Sequence, residues 1–444
     1  AVEYIDGPEL VIAGAGSGKT RVLTYKIAYL LQKGVRASNI LALTFTNKAA
    51  REMKERIARL VPAADARYLW MGTFHSVCAR LLRTEAERLG FTRDFSIYDT
   101  ADSKSVLKQI LKEQQLDEKI YKVGNVLGRI STAKNMLISP DEYAHSHDFY
   151  KADSEVRMYK MAEVYQAYQV RLKAANAMDF DDLLINMNAL MEQDAEVRDK
   201  YQQAFQYVLV DEYQDTNYVQ YLLVKHLAEP QNRICVVGDD AQSIYSFRGA
   251  DIRNILGFQR DYPHSHLYKL ERNYRSTQTI VNAANSLIHH NEHQIPKEVY
   301  SEKEEGQRID LNAYMSDRDE GQAVAKAISK DHTLLRRDYN DMAILYRTNA
   351  QSRAFENELR KRNIPYRIYG GTSFYQRKEI KDAIAYFRLA VNPLDNEALL
   401  RVINFPSRGI GDTTLRKVSD TAIIHGLSAV FNCDFPPGRS KGSA

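Results

Sequence analysis

Short apolar runs alternate along the chain with longer amphipathic segments. Runs that are almost entirely apolar, as expected of strands buried on both faces of a sheet, occupy residues 10–13, 40–45, 68–73, 207–210 and 234–238. The first two lead into segments whose apolar residues or oppositely charged pairs recur at helical spacing. Strands separated by helices predict an α/β fold with a parallel sheet flanked by helices.

The pattern changes twice further along the chain. Residues 92–200 lack strand-like runs and are dominated by helical periodicity, which predicts a helical insertion into the first sheet domain. Strand-like runs return at 266–270, 309–315, 342–347 and 366–370, and beyond about residue 390 the pattern is helical again. The predicted domains are therefore a first α/β domain in two parts (1–91 and 201–265), the insertion (92–200), the first part of a second α/β domain (266–390), and the start of a second helical domain (391–444).

Composition narrows the classes of protein. A chain of 444 residues suits about three domains, and a net charge of +4 is too weak to predict a nucleic-acid partner by itself. The three cysteines are widely spaced, which indicates a reducing compartment and argues against a disulfide framework or a zinc site. No apolar run approaches the ~20 residues that span a bilayer, so we expect no membrane partner. The chain starts with Ala1 rather than methionine, and its tail FPPGRSKGSA resembles a linker or an artificial extension. We therefore expect its natural start to be missing.

The segment AGAGSGKT, residues 13–20, follows the first predicted strand and precedes a helical pattern. Glycines at these positions let backbone N–H groups surround phosphate oxygens, with Lys19 at the β- and γ-phosphates and the Thr20 hydroxyl on Mg²⁺. The alternative is a glycine-rich turn with a solvated lysine. The strand before and the helix after favour a phosphate-binding loop, although Ala13 stands where the strict pattern has glycine. The residues predicted to bind ATP here are Ala15, Gly16, Ser17, Gly18, Lys19, Thr20 and Arg21.

An acidic pair follows another apolar run in VLVDEYQD. We expect Asp211 to hold Mg²⁺ and Glu212 to orient and deprotonate the attacking water. The alternative is a group of capping carboxylates where a strand meets a helix.

Two further segments suggest a sensor for the transferred phosphate. Gln242 lies just after the run at 234–238, where its amide could contact a γ-phosphate, and Arg275 lies near the start of the second α/β region. An arginine from a neighbouring domain can stabilise the charge of the transferring phosphoryl group, which would put ATP in a cleft between two domains. A surface or interface salt bridge remains the alternative for Arg275.

Several long segments occur in an order that resembles a known family: AGAGSGKT, LTFTNKAAREM, GTFHS, LVDEYQDTN, VVGDDAQSIYSFRGAD, LERNYRST, YRTNAQSR and GGTSFYQRKEIKD. Together they resemble superfamily 1A DNA helicases of the UvrD/Rep/PcrA type, from residue 10 to about residue 416. The resemblance implies two RecA-like domains with helical insertions, and ATP-driven movement 3′ to 5′ along single-stranded DNA with unwinding at a single-strand/duplex junction. It also implies a role in DNA repair or replication in the bacterial cytoplasm, at the nucleoid.

The resemblance also assigns residues. It gives Lys19, Thr20, Asp211, Glu212, Gln242 and Arg275 the roles described above and implies that Tyr274 stacks on the adenine. For the DNA strand it implies Phe45, Thr46, Asn47, Thr73, Phe74, His75, Tyr245, Phe247 and Arg248. The four aromatic residues in this set follow predicted strands, where ligands of open α/β sheets bind, and base–aromatic stacking contributes roughly 1–3 kcal/mol per base. Core packing is the alternative for any one of them.

The sequence differs from the family pattern at some positions and lacks some of the family's motifs. Phe247 stands where the family often has tryptophan, which predicts a weaker grip on the strand, and Ala241 replaces a residue that is frequently acidic. The turn in PSRGIGDTTL (406–415) resembles the start of the family's second insertion, although a plain helix-start turn is equally compatible. The upstream adenine-reading segment and the last motor motifs are not present, so we expect weak nucleotide binding and slow hydrolysis by these 444 residues.

Rival hypotheses are a DNA-binding scaffold with a vestigial ATP site, a helicase–nuclease and a small-molecule P-loop kinase. Intact Lys19, Asp211 and Glu212 argue against the first. No carboxylate-rich nuclease region supports the second, and the aromatic loops have no use in the third.

Overall fold

The computed structural model describes residues 1–292, 294–369, 374–411 and 414. The strands in these residues are β1 (Glu9–Ala13), β2 (Ile40–Thr44), β3 (Trp70–Thr73), β4 (Ser96–Tyr98), β5 (Ala177–Asp179), β6 (Tyr207–Val210), β7 (Ile234–Gly238), β8 (His266–Leu270), β9 (Arg272–Asn273) and β10 (Tyr300–Ser301).

Helices cover much of the rest. They are α1 (Lys19–Gln32), α2 (Asn47–Ala58), α3 (Ala63–Tyr68), α4 (Phe74–Glu85), α5 (Thr100–Glu113), α6 (Val123–Asn135), α7 (Pro140–His145), α8 (His147–Glu155), α9 (Met161–Ala174), α10 (Phe180–Gln193), α11 (Ala195–Ala204), α12 (Tyr218–Ala228), α13 (Arg253–Leu256), α14 (Phe258–Asp261), α15 (Gln278–Ile288), α16 (Asp317–Leu335), α17 (Ser352–Lys361), α18 (Lys378–Val391) and α19 (Asn396–Val402). None of the helices in the described ranges has the length and hydropathy needed to cross a bilayer.

The central sheet has six parallel strands in the order β3-β2-β6-β7-β1-β8. Successive side chains of β1 enter opposite cores: Leu10 and Ile12 pack on one face, and Val11 and Ala13 on the other. A strand buried on both faces is almost entirely apolar, which is why the runs were recognisable; the buried Glu9 at the start of β1 is paired with Lys26. The predicted α/β class with a parallel sheet flanked by helices is confirmed.

Strand β8 differs from the prediction. It pairs along its whole length with β1, from Glu9 opposite His266 to Ala13 opposite Leu270, so it is the edge strand of the first sheet. Its assignment to the second α/β region was wrong. The apolar pattern of a strand reports its burial but does not name its partner, and long-range pairing decides which sheet it joins.

The helical insertion has a core of its own, formed mainly by α5, α6, α7 and α9. Helices α10 and α11 were predicted to belong to it, but their apolar residues, such as Leu183, Met187 and Val197, pack in the same core as Leu10 and Ile12 of the sheet. The insertion therefore ends near β5 rather than at residue 200.

A polar network joins the end of α18 and the start of α19 to the insertion. Asp395 is fully buried and accepts hydrogen bonds from Ser96 Oγ (2.5 Å) and the Tyr98 hydroxyl (3.0 Å). Arg388 bridges Asp395 and Asp102, at 2.8 Å from each. Because a buried carboxylate is costly unless it is paired and hydrogen-bonded, this network fixes where the segment docks.

Glu397 in this interface predicts a dependence of stability on pH. Burial raises the pKa of Glu397 to about 7, despite a hydrogen bond from Gln109 (3.0 Å). A raised folded-state pKa means stability that is full below the unfolded-state value and is lost as the pH rises through about 7. At pH 8, Glu397→Gln should raise the free energy of unfolding by an amount on the order of 3 kcal/mol, with little gain near pH 4.5.

Urea unfolding at both pH values measures this difference. The matched control is Glu155→Gln, because Glu155 is exposed. Equal responses of the two variants would contradict the assignment.

Residues Gln307–Lys381 form a second compact unit. In it, α16 packs on α17 through Ala325, Leu359 and Ile364. The predicted strands at 309–315 and 342–347 are wrong for this structure, because in the described part of the unit neither run is hydrogen-bonded to a partner strand and Leu311 and Leu345 are almost fully exposed. The predicted strand at 366–370 is absent over 366–369. Residue 370, part of GGTSFYQRKEIKD, part of PSRGIGDTTL and the tail lie outside the described residues.

Candidate nucleotide site and nucleic-acid interface

The loop between β1 and α1 turns through two glycines in the left-handed region. Gly16 has φ 73° and Gly18 has φ 99°, a conformation that favours glycine. Ser17 Oγ donates to the Gly14 carbonyl at 2.6 Å and closes the turn. No side chain caps the start of α1 at Gly18, so the N–H groups of its first turn are available to an anion.

Lys19 extends from the first turn of α1 to the end of β6. Its Nζ donates to Glu212 Oε2 at 2.7 Å, and Glu212 itself has a left-handed backbone with φ 51°. Asp211, on the buried end of β6, donates its N–H to the Leu43 carbonyl of β2 at 2.9 Å. Burial and then the neighbouring Glu212 raise the pKa of Asp211 to about 7, against the opposing effect of Lys19. The site therefore contains more carboxylate than one lysine compensates.

The segment after β8 lies directly against the phosphate-binding loop. Asn273 Nδ2 donates to the Ala15 carbonyl at 2.6 Å, and the Tyr274 N–H donates to the Gly16 carbonyl at 3.0 Å. A Cβ on Gly16 would lie 2.8 Å from Arg275 Cβ. Arg275 therefore belongs to the same compact unit as the loop, which corrects the expectation that it comes from a neighbouring domain. The Tyr274 ring is 58% exposed.

Gln242 is tethered next to the end of β7. Its Nε2 donates to Asp239 Oδ2 at 2.6 Å. Lys297 approaches from the segment before β10 and pairs with both Asp239 (3.0 Å) and Asp240 (2.6 Å), and its side chain is 7% exposed. The start of this loop is therefore fixed by buried charge pairs, whereas its tip is exposed.

Three aromatic side chains and an arginine gather beyond the ends of β2 and β7. The rings of Phe45 and Tyr245 are 5.2 Å apart, and those of Tyr245 and Phe247 are 5.9 Å apart. The Arg248 guanidinium lies 5.2 Å and 5.4 Å from the Tyr245 and Phe247 rings. Phe247 is 69% exposed. We call these four residues the aromatic cluster; it offers π-faces and positive charge to a ligand at one edge of the sheet.

Three polar residues that were predicted to bind the DNA strand, Thr46, Asn47 and Thr73, lie at the starts of helices. Thr46 Oγ1 accepts from the Ala49 N–H at 3.1 Å and caps α2, and Asn47 is the exposed first residue of that helix. Thr73 Oγ1 accepts from the Ser76 N–H at 3.3 Å and caps α4. Capping holds the ends of β2 and β3 in a fixed geometry.

Phe74 departs from the predicted set. It is 2% exposed and packs in the same core as Leu43 and Val77. As the first residue of α4 it lies on the apolar face of that helix, so the expectation that it stacks on a base was wrong. His75, the next residue, is partly exposed; burial lowers its pKa, and its ring meets Phe180 edge-on at 5.8 Å.

Sequence reasoning missed several residues that organise the site, among them Gln214, Asn273, Lys297 and Phe180. Gln214 lies in VLVDEYQD and Asn273 in LERNYRST. In both segments the charged and aromatic neighbours gave the stronger signal for a binding site. Lys297 and Phe180 lie far along the chain from any motif, and no local pattern distinguishes them.

The residues of this site have the chemistry needed to bind a nucleoside triphosphate together with a divalent cation. The buried Asp215 Oδ1 has no hydrogen-bond partner, and burial and then Glu212 raise the pKa of Asp215 to about 6. In the described residues no group of three or more His, Cys, Asp and Glu side chains is arranged to hold a metal ion by itself. Asp211 and the Thr20 hydroxyl offer oxygen ligands to Mg²⁺ that arrives with the phosphates, and the helix start and Lys19 suit phosphate.

A parallel sheet, a glycine loop leading into a helix, and an acidic pair on a neighbouring strand define a RecA-like P-loop protein. The family model for the UvrD/REP helicase N-terminal domain matches residues 1–263, and that for the UvrD-like helicase C-terminal domain matches 268–432. The chain therefore belongs to the UvrD/Rep helicase family, and the resemblance noted from the motifs is confirmed.

Curated relatives agree with this membership. The chain is 50% identical over 442 residues to a protein named ATP-dependent DNA helicase PcrA from Bacillus subtilis (strain 168), covering 98% of this chain and 58% of that protein. It is 48% identical over 439 residues to the proteins of the same name from Staphylococcus aureus (strain Mu50) and Staphylococcus epidermidis (strain RP62A), covering 98% of this chain and 59% of each. The chain thus spans a little under three fifths of the length of these relatives.

Proposed function

We propose that this protein is an ATP-dependent DNA helicase that moves 3′ to 5′ along single-stranded DNA and separates duplex at a junction, in DNA repair or replication. The observation that carries the proposal is a chain of hydrogen bonds, within one compact unit, from Lys19 through Glu212 and Gln214 to Asp239, where the loop that carries most of the aromatic cluster begins. Family membership and the names of the relatives support the activity.

In the nucleotide site, Lys19 and the N–H groups of the first turn of α1 bind the β- and γ-phosphates. Thr20 and Asp211 would hold Mg²⁺, which would neutralise charge on the phosphates when it is bound with ATP. Once Lys19 turns toward phosphate, Glu212 is free to accept a proton from the attacking water. Arg275, beside Gly16, stabilises negative charge on the transferring group, Gln242 contacts it, and Tyr274 presents an exposed ring to the adenine.

The aromatic cluster binds the single-stranded DNA. We expect Phe247→Ala to weaken binding of a fluorescent oligothymidine about 5- to 150-fold, because one lost base stack is worth roughly 1–3 kcal/mol. Phe247→Trp should bind more tightly than the wild type, since the larger ring covers more of a base. An unchanged affinity for Phe247→Ala would remove the cluster from the binding site.

ATP hydrolysis with and without single-stranded DNA tests the proposal as a whole. A rate that rises with DNA supports a motor, whereas a DNA-independent rate would contradict it. Direction is tested separately by unwinding of duplexes that carry only a 3′ or only a 5′ single-stranded tail. Preference for the 5′ tail would overturn the stated polarity.

A further inference from the structure

One buried amide joins the nucleotide site to the loop that carries the aromatic cluster. Gln214 is 1% exposed and follows the acidic pair by two residues. Its Nε2 donates to Glu212 Oε2 at 2.9 Å, and its Oε1 accepts the Asp239 N–H at 3.0 Å. The partners fix the orientation of the amide, since a carboxylate needs a donor and a backbone N–H needs an acceptor.

On the nucleotide side, Gln214 and Lys19 compete for one atom. Lys19 Nζ and Gln214 Nε2 both donate to Glu212 Oε2, at 2.7 Å and 2.9 Å. If Lys19 leaves for a phosphate, the amide becomes the remaining donor to that oxygen among the contacts seen here. The hydrogen bond from Gln214 to Glu212 therefore depends on whether nucleotide is bound.

On the other side, Gln214 holds the start of the strand-binding loop. Asp239 is the residue to which Gln242 is tethered, and the Ser243 hydroxyl donates to the main-chain carbonyl of Gln214 at 3.3 Å. Lys297 pairs with the Asp239 carboxylate at 3.0 Å, whereas Gln214 accepts from the Asp239 main-chain N–H. The start of the loop is thus clamped between the amide and the lysine, and a displacement of either changes its position.

The surroundings leave Gln214 little freedom to absorb such a displacement. A Cβ on Gly238 would lie 2.7 Å from Gln214 Oε1, so the absence of a side chain there is what admits the amide. Rotating the amide away would leave buried donors and acceptors unpaired, which is unfavourable for each group. A close-packed contact of this kind transmits small shifts.

We propose that Gln214 is a positioning residue that transmits the nucleotide state of Glu212 to the aromatic cluster, and this inference rests on the proposed helicase function for the meaning of that coupling. Gln214 itself touches neither phosphate nor DNA in this assignment. Its role is to set where the loop after β7 begins when Lys19 is engaged with phosphate and when it is not.

Hydrogen exchange of residues 239–248 tests the coupling without DNA or turnover. In the wild-type chain, saturating Mg²⁺ and a non-hydrolysable ATP analogue should slow exchange in this segment. Gln214→Met keeps the volume but loses all three side-chain hydrogen bonds, including the long one to Asp215 Oδ2 (3.5 Å), and Gln214→Glu turns the contact with Glu212 into a repulsion. We expect the nucleotide-dependent change to fall about tenfold in both, and stimulation of ATP hydrolysis by single-stranded DNA to fall by a similar factor.

The matched control is Gln202→Met. Gln202 is also a buried glutamine, and its Nε2 donates to the His226 carbonyl at 2.8 Å, far from the site. Loss of the response in the Gln214 variants with retention in Gln202→Met supports the proposal. A full response in Gln214→Met, or no response in the wild type, overturns it. A wild type whose ATP hydrolysis ignores DNA would instead contradict the proposed function, while the exchange data still decide the role of Gln214.

Discussion

Lys19→Ala is expected to reduce the rate of ATP hydrolysis by about 10²–10³-fold, the loss typical when a preorganised charge that faces the reacting group is removed. Lys19 is the cation that pairs with Glu212, and its ammonium opposes the upward shift in the pKa of Asp211. Without it, two adjacent carboxylates repel both each other and the phosphates. Steady-state hydrolysis with excess Mg²⁺·ATP measures the effect.

Binding of single-stranded DNA should survive this substitution, because the aromatic cluster is built on the ends of β2 and β7 and makes no contact with Lys19 in the described structure. Lys54→Ala is the control, since Lys54 is an exposed lysine on α2. An unchanged rate of ATP hydrolysis in Lys19→Ala would show that the phosphate-binding loop takes no part in the reaction. A parallel loss of DNA binding would mean either misfolding, which circular dichroism would show, or a displaced loop after β7, to which Lys19 is linked through Glu212 and Gln214.

Sequence reasoning succeeded where the physical cause is local. The strands of the central sheet are buried on both faces, so their apolar runs predicted them, and the glycines of the phosphate-binding loop are demanded by backbone angles at Gly16 and Gly18. It failed where contacts between residues far apart in the sequence decide which sheet or core an element joins. The pattern of β8 did not reveal that it pairs with β1, and α10 looked like the insertion helices although its apolar face packs on the sheet core.

The same distinction applies to the site. Charged and aromatic residues in the motifs were found because their side chains can bind phosphate, a metal ion or a base directly, and Phe45, Tyr245, Phe247 and Arg248 do come together. Gln214 was overlooked because an amide has no chemistry of its own at that position. Its importance comes only from the two groups that it touches, one of which is 25 residues away along the chain.

Phe74→Ala should lower the free energy of unfolding of the first domain by about 3–5 kcal/mol, the usual loss for a buried phenylalanine. Phe74 is 2% exposed, and its ring fills space in the same core as Leu43, Val77 and Val210. Urea unfolding can be followed through Trp70, the single tryptophan of the chain, which packs against this core.

An aromatic residue that follows a β-strand can either pack in the core or bind DNA, and comparing Phe74→Ala with Phe247→Ala distinguishes these two roles. Phe247 is 69% exposed, so its removal should leave the unfolding midpoint nearly unchanged while weakening DNA binding. Phe74→Ala should do the opposite: folded protein, measured at a urea concentration where both variants remain native, should bind oligothymidine with an affinity close to that of the wild type. If Phe74→Ala instead weakened binding and left stability intact, its ring would have to face the strand, and the packing of α4 against the sheet would be different from that described here.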